Sequence, residues 1–283
     1  MISAAMMLMA MTGQETFVAP GATVQKEPGK YLFTEGPQAM PDGSLVFSDI
    51  PGNKIYKFAK GEVTEFRNPS FNANGNTLDK QKRLISCLHG ARQVVRQEKD
   101  GTITVLADSY QGKKLNSPND AYVSKSGIVY FTDPPYGIRS NQQEQPHNGV
   151  YMIKGGTVTL LLSDFDRPNG IVLSPDEKTL YVADTAKQHI RSFPVNKDGT
   201  LGEGKVFAQT PNPDGLRVDT NGRVWSASGD GVNVISPQGQ VLEVIKFPEG
   251  PANLCFSKDG KTLYVTARTG LYSVKVKVKG ISP

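Results

Sequence analysis

Six short stretches carry the residues that could do chemistry. Counting eight back from the tight-turn positions Gly43, Lys82, Gly127, Glu177, Gly222 and Gly260 lands on Glu35, Asn74, Asn119, Asn169, Asp214 and Ala252. Five of these six slots hold a side-chain oxygen and none holds a lysine or arginine. If the fold brings them together, two carboxylates and three amides make a set of hard oxygen donors. Buried carboxylates in one place repel each other and lose their hydration, so one divalent cation would relieve both costs. Oxygen-only ligation favours calcium first, then magnesium, although zinc and manganese also accept carboxylates. A competing reading is that Asp and Asn simply open turns and bond local backbone, as Pro-Asp-Gly and Pro-Asn-Gly often do. Their common register argues against that reading.

The elements around the slots explain how they could meet. Each slot begins a short strand that descends to an Asp-Gly type hairpin and returns, as in Leu45-Val46-Phe47-Ser48-Asp49 and Ile128-Val129-Tyr130-Phe131-Thr132-Asp133. Further runs alternate with period two, such as Lys54 to Phe58 and Glu62 to Phe66, so the unit has four strands. Unit starts at 35, 74, 119, 169, 214 and 252 repeat at the spacing of a propeller blade, which cannot bury both faces until neighbours stack on it. The expectation is all-β: a six-bladed β-propeller of four-stranded antiparallel blades around a central channel. The first strand of each blade lines the channel, so the slots should face one another. The last blade shows three clear strands, and an arm strand near Tyr31-Leu32-Phe33 is expected to supply the fourth.

The ends of the second strands return to the slot face and should form a rim. They place His89 and Tyr136 beside Asn74 and Asn119 as candidates for substrate contact, with Arg268 a further rim residue. Trp225, the single tryptophan, sits in a second strand and is assigned to packing between blades. His147 falls in a long polar loop and His189 in a third strand, both expected outside the pocket. With three histidines and no Gly-x-Ser-x-Gly elbow, a serine hydrolase is disfavoured.

Composition agrees. In 283 residues, 29 glycines and 19 prolines punctuate short β-branched and aromatic runs, and 37% hydrophobic content suffices for a large core. A net charge of +5 is scattered, which argues against nucleic acid; Lys275, Lys277 and Lys279 read as a solvated edge strand. Cys87 and Cys255 lack metal-type spacing and read as buried thiols, with a bridge left open. Residues 1–14 read as a possible partial signal segment, too short to span a membrane, and 15–283 as one propeller domain. Export to the periplasm or outside is the expectation, with the cytoplasm the alternative, and the protein is expected to be a monomer.

The ordered set Thr34-Glu35-Gly36-Pro37, Ala73-Asn74-Gly75, Ser117-Pro118-Asn119-Asp120, Phe131 to Gly137, Pro168-Asn169-Gly170 and Pro213-Asp214-Gly215 resembles the SMP-30/gluconolactonase family over about residues 30 to 275. That resemblance implies a six-bladed propeller with one catalytic divalent metal and a small sugar lactone as substrate. It implies Glu35, Asn169 and Asp214 as metal ligands, Asn119 as a further asparagine on metal or substrate, and Asp214 as general acid and base. Ser117 stands where some members carry an arginine and enters as a candidate for substrate contact. The Cys-Glu-His of bacterial relatives reads Cys87-Leu88-His89. Two other readings stay open: a propeller that binds calcium or a partner without catalysis, and metal-dependent phosphotriester hydrolysis.

Overall fold

The computed structural model describes residues 16–281. The 1–14 segment lies outside the described residues. Among them are six four-stranded antiparallel sheets. The first comprises Thr34–Ala39, Leu45–Asp49, Lys54–Ala59 and Glu62–Arg67, and the fifth Leu216–Val218, Val224–Ser228, Gly231–Ile235 and Val241–Ile245. Successive inner strands pack on one another, and the first sheet meets the last, so the sheets close a ring. The expected six-bladed propeller is the fold.

Why the repeat is so regular is visible at the hairpins. Gly43, Lys82, Gly127, Glu177, Gly222 and Gly260 all have positive φ, between 59° and 94°. Each donates its N–H to the carbonyl three residues earlier, for example Gly43 to Met40 and Glu177 to Ser174. The left-handed residue that ends the turn fixes the register of both strands. Lys82 and Glu177 adopt it without being glycine, so the count of eight survives substitution.

Ring closure differs from expectation. Gln25–Lys26, not the stretch near Tyr31, is the fourth strand of the last blade, pairing with Gly270–Lys275 through Gln25↔Ser273 and Lys26↔Tyr272. The backbone N–H groups of Leu32 and Phe33 are instead taken by the Asp49 carboxylate, both at 3.0 Å, which makes that stretch an anchored loop. Tyr31 packs edge-on against Phe47, with centroids 5.0 Å apart. Farther out, Phe17 is buried and meets Trp225 at 6.1 Å, while Trp225 meets Phe256 at 5.3 Å. The indole N–H donates to Asp219 at 3.0 Å, so Trp225 is core as expected.

Lys275, Lys277 and Lys279 are exposed, as expected, but their strand is not an edge. Gly270–Lys275 has a neighbour on each side, so it is no edge. The chain then pairs Val276 with Val18 and Gly280 with Asp219. Cys87 and Cys255 are free and buried. No described helix is long and apolar enough to cross a membrane.

Candidate functional site

The slots are held together blade to blade by hydrogen bonds that run round the channel. Ser48 Oγ donates to the Asn74 carbonyl at 2.8 Å, and Gly75 N to the Asn119 carbonyl at 2.8 Å. Thr132 Oγ1 donates to the Asn169 carbonyl at 2.8 Å, Gly170 N to Asp214 at 3.2 Å, and Gly215 N to Ala252 at 2.9 Å. The last step joins two side chains, Asn253 Nδ2 donating to Glu35 Oε2 at 3.0 Å. In four blades the pairing of first and second strands shifts register at the slot, between Glu35 and Gln38, Ala73 and Asn76, Pro168 and Ile171, and Pro251 and Asn253. Such bulges re-aim a side chain. Here they sit where the slot residues meet the channel.

The slots open into a cavity of about 430 Å³ lined by Phe33, Glu35, Ile50, Pro51, Asn74, His89, Asn119, Tyr136, Asn169, Thr185 and Asp214. That size suits a small molecule. The side chains around it are oriented by their own partners. Glu35 Oε2 accepts from Gly36 N at 2.7 Å as well as from Asn253, which leaves Oε1 for the cavity. Thr185 spends its hydroxyl proton on the Pro213 carbonyl at 2.7 Å and so can only accept from Asn169, whose Nδ2 lies 3.0 Å away. This settles the Asn169 amide and turns its Oδ1 to the cavity. Asn74 Nδ2 lies 3.1 Å from His89 Nε2, and Asn74 Oδ1 is buried without a partner.

Charge in the site is poorly compensated. Burial pushes Glu35 up to about 7, with the negative charge of Asp120 adding to it and the Gly36 and Asn253 hydrogen bonds opposing. Asp214 is pushed well above the usual carboxylate range by burial, then by Glu35 and Asp120. Burial pushes His89 down to about 4, so it is neutral near pH 7 and accepts the Asn74 amide. Tyr136 is half exposed, with the Arg167 guanidinium 5.2 Å from its ring centroid; burial raises its hydroxyl pKa.

These observations fit a divalent cation. Burial raises the pKa of both Glu35 and Asp214, and the Glu35 charge raises Asp214 further; a cation beside the two carboxylates would relieve that cost. Among the described residues no group of three or more His, Cys, Asp or Glu side chains could hold a metal. The oxygens that could hold one are those of Glu35 and Asp214 with the amide oxygens of Asn169 and Asn119, a donor type that suits calcium better than zinc.

Most expected site residues line this cavity: Glu35, Asn74, His89, Asn119, Tyr136, Asn169 and Asp214. Ser117 does not, and is a correction. Its hydroxyl donates to the Pro134 carbonyl at 2.8 Å and accepts from Gly137 N at 2.7 Å, so it pins the loop that carries Tyr136. Arg268 is also absent from the lining, as are His147, which bonds the Tyr151 hydroxyl at 3.1 Å, and His189. The second-strand acids Asp49 and Asp184 turn to backbone N–H groups before the slots instead of forming a rim. Sequence reasoning missed Thr185, Asn253 and the apolar wall of Phe33, Ile50 and Pro51. Asn253 alone had a signal, lying one residue beyond the alanine slot.

The profile of the SMP-30/Gluconolactonase/LRE-like region matches residues 33–269. A gluconolactonase of Zymomonas mobilis is 31% identical, with 88% of this chain and 80% of that protein covered. Regucalcin of Gallus gallus is 26% identical over 80% of this chain and 79% of its own. Among solved structures, a gluconolactonase of Xanthomonas campestris superposes with a TM-score of 0.86 at 34% identity, covering 92% of this chain and 91% of that one.

Proposed function

Because this chain belongs to the SMP-30/gluconolactonase/LRE-like family, we propose that it is a metal-dependent hydrolase that opens the ester of a small sugar lactone. The observation that carries this reading is the pairing of commitments in the cavity: Glu35 and Asn169 each have one atom tied to the protein and one oxygen left, beside a buried Asp214. A scaffold that binds neither cation nor lactone has no need of such carboxylates. The gluconolactonases among the relatives supply the substrate class.

Glu35, Asn169, Asp214 and Asn119 would hold the cation. When bound it supplies electrophilic polarisation of the lactone carbonyl, with calcium first among the candidates. Asp214 takes a proton from the attacking water and returns it to the ring oxygen as the ester bond breaks. No nucleophilic side chain is needed. Neutral His89, Asn74 and the Tyr136 hydroxyl offer hydrogen bonds to sugar hydroxyls, and Phe33, Ile50 and Pro51 offer an apolar face to the ring.

The test is lactone opening by chelator-treated protein with calcium, magnesium, manganese or zinc restored, wild type against Asp214→Ala. Wild type should exceed spontaneous hydrolysis only with metal, and Asp214→Ala should not. Calcium binding without any such excess across a lactone panel would support a non-catalytic role instead, and a metal-dependent excess on phosphotriesters alone would move the activity to that class.

A further inference from the structure

Beneath the slots lies a second buried layer. The residue after each slot is glycine in four blades, Gly36, Gly75, Gly170 and Gly215, but Asp120 and Asn253 in the third and sixth. These two belong to opposite blades, and their side chains approach each other: Asn253 Nδ2 lies 3.5 Å from Asp120 Oδ2 and 3.0 Å from Glu35 Oε2. Asn253 Oδ1 accepts from Leu254 N at 2.8 Å, which fixes the amide so that its NH2 faces the two carboxylates. Arg217, three residues after Asp214, brings Nη1 to 3.9 Å from Asp120 Oδ2, with both side chains about 98% or more buried.

Arg217 is held at a cost. Nη1 donates to the Leu216 carbonyl at 2.7 Å, but Nε and Nη2 are buried without partners. A buried ion pair left this way weakens a fold relative to apolar side chains at both positions, although removing one partner alone costs more because it strands the other charge. Its use here is therefore electrostatic. With Glu35 and Asp214 ionised, Asp120 and Arg217 cancel, and the layer and ring together carry two negative charges, the complement of one divalent cation.

We infer that Asp120, Arg217 and Asn253 form a positioning unit that holds Glu35 with one oxygen turned to the cavity and sets the charge of the ring at the value a divalent cation neutralises. The inference rests on the metal reading above and assigns residues that never touch substrate. Replacing Asp120 alone leaves the Arg217 charge opposing the cation; replacing both restores the balance. Asn253 acts by orientation, since its removal changes no charge.

The experiment compares Asp120→Asn, Arg217→Met, the double variant and Asn253→Ala. Calcium affinity is read by titration calorimetry, and metal-free stability by urea unfolding. Asp120→Asn should weaken calcium binding by about ten- to a hundredfold and Asn253→Ala by roughly tenfold. The double variant should return to within about threefold of wild type, on the tenfold scale of such effects. Without metal, Arg217→Met should be destabilised and the double variant less so, a non-additivity that marks one unit. Should Arg217→Met not fold while the double does, the same coupling is shown. Equal calcium affinity in Asp120→Asn and the double, or additive losses in metal-free stability, overturns the inference. If wild type binds no divalent cation, the proposed function falls, and the metal-free comparison alone decides whether the three residues act together.

Discussion

Glu35→Gln should stabilise the metal-free protein increasingly as pH rises. Glu35 is fully buried in the fold and pushed from 4.5 to about 7 by that burial, whereas in the unfolded chain it ionises near the ordinary value. Between those values the native state holds a proton the unfolded state has lost, so stability is present below about 4.5 and lost as pH climbs through about 7. The loss is on the order of 3 kcal/mol. Glutamine keeps an oxygen for the Gly36 and Asn253 donors and cannot ionise, so it escapes this loss. His89 works in the opposite direction, since burial lowers it to about 4 and stability falls as pH drops from 6.5 toward that value. The two slopes overlap in wild type, and only the difference between the proteins isolates Glu35. The assay is urea or thermal unfolding in chelator, followed by the single, fully buried Trp225. The expected difference between variant and wild type grows by the same 3 kcal/mol or so toward Glu35→Gln, or roughly 6–12 °C in Tm. Asp214, whose pKa Glu35 helps to raise, adds in the same sense. Saturating calcium should stabilise wild type far more than the variant. A difference that stays flat from pH 4.5 to 8 would mean that Glu35 is ionised throughout in the native state, and would refute the argument that this site is short of positive charge.

Thr185→Val removes the acceptor that orients Asn169, so calcium affinity should fall roughly tenfold while the fold survives, as calorimetry and circular dichroism can check. Gly137→Ala would place a Cβ 2.5 Å from His89 Cβ and push the Tyr136 loop outward; KM for the lactone should rise on the order of tenfold with calcium affinity unchanged. Phe17→Ala opens the latch beside Trp225 and should cost about 3–5 kcal/mol in urea unfolding, with Trp225 emission shifted to the red.

The slot register was legible because it rests on backbone geometry: the left-handed turn residue persists even where Lys82 and Glu177 occupy it. What sequence could not show was direction. Ser117 has the right atom in the right loop, but two backbone groups consume it. Thr185 matters only through a carbonyl and an amide on neighbouring blades, a pairing no local pattern announces. The closing strand was misplaced because Gln25–Lys26 is two exposed polar residues long, whereas Tyr31-Leu32-Phe33 has the hydrophobic look of a strand and serves as a loop anchored on Asp49.

The recurrent Asn-Gly and Asp-Gly of the slots now has a different cause from the turn chemistry it suggests. A Cβ on Gly36 would stand 2.0 Å from the Asn74 carbonyl oxygen, and one on Gly170 2.2 Å from that of Asp214. Neither is at a hairpin; each is where the inner strands of adjacent blades touch. The glycine is thus the condition for drawing the slots close enough to share one small ligand, and the residue before it is free to be the donor. Where the position carries a side chain, at Asp120 and Asn253, that side chain lies beside the glycine of the preceding blade: a Cβ on Gly75 would meet Asp120 Oδ1 at 2.4 Å, and one on Gly215 would meet Asn253 Oδ1 at 2.1 Å. The glycines of the second and fifth blades therefore make room for the two polar residues that cross beneath the ring. Gly75→Ala and Gly215→Ala should accordingly weaken calcium binding, and replacing the facing polar residue with alanine should ease each loss only in part, because the Asn119 carbonyl oxygen and the Asn253 Cα would still lie 2.6 and 2.8 Å from the new Cβ.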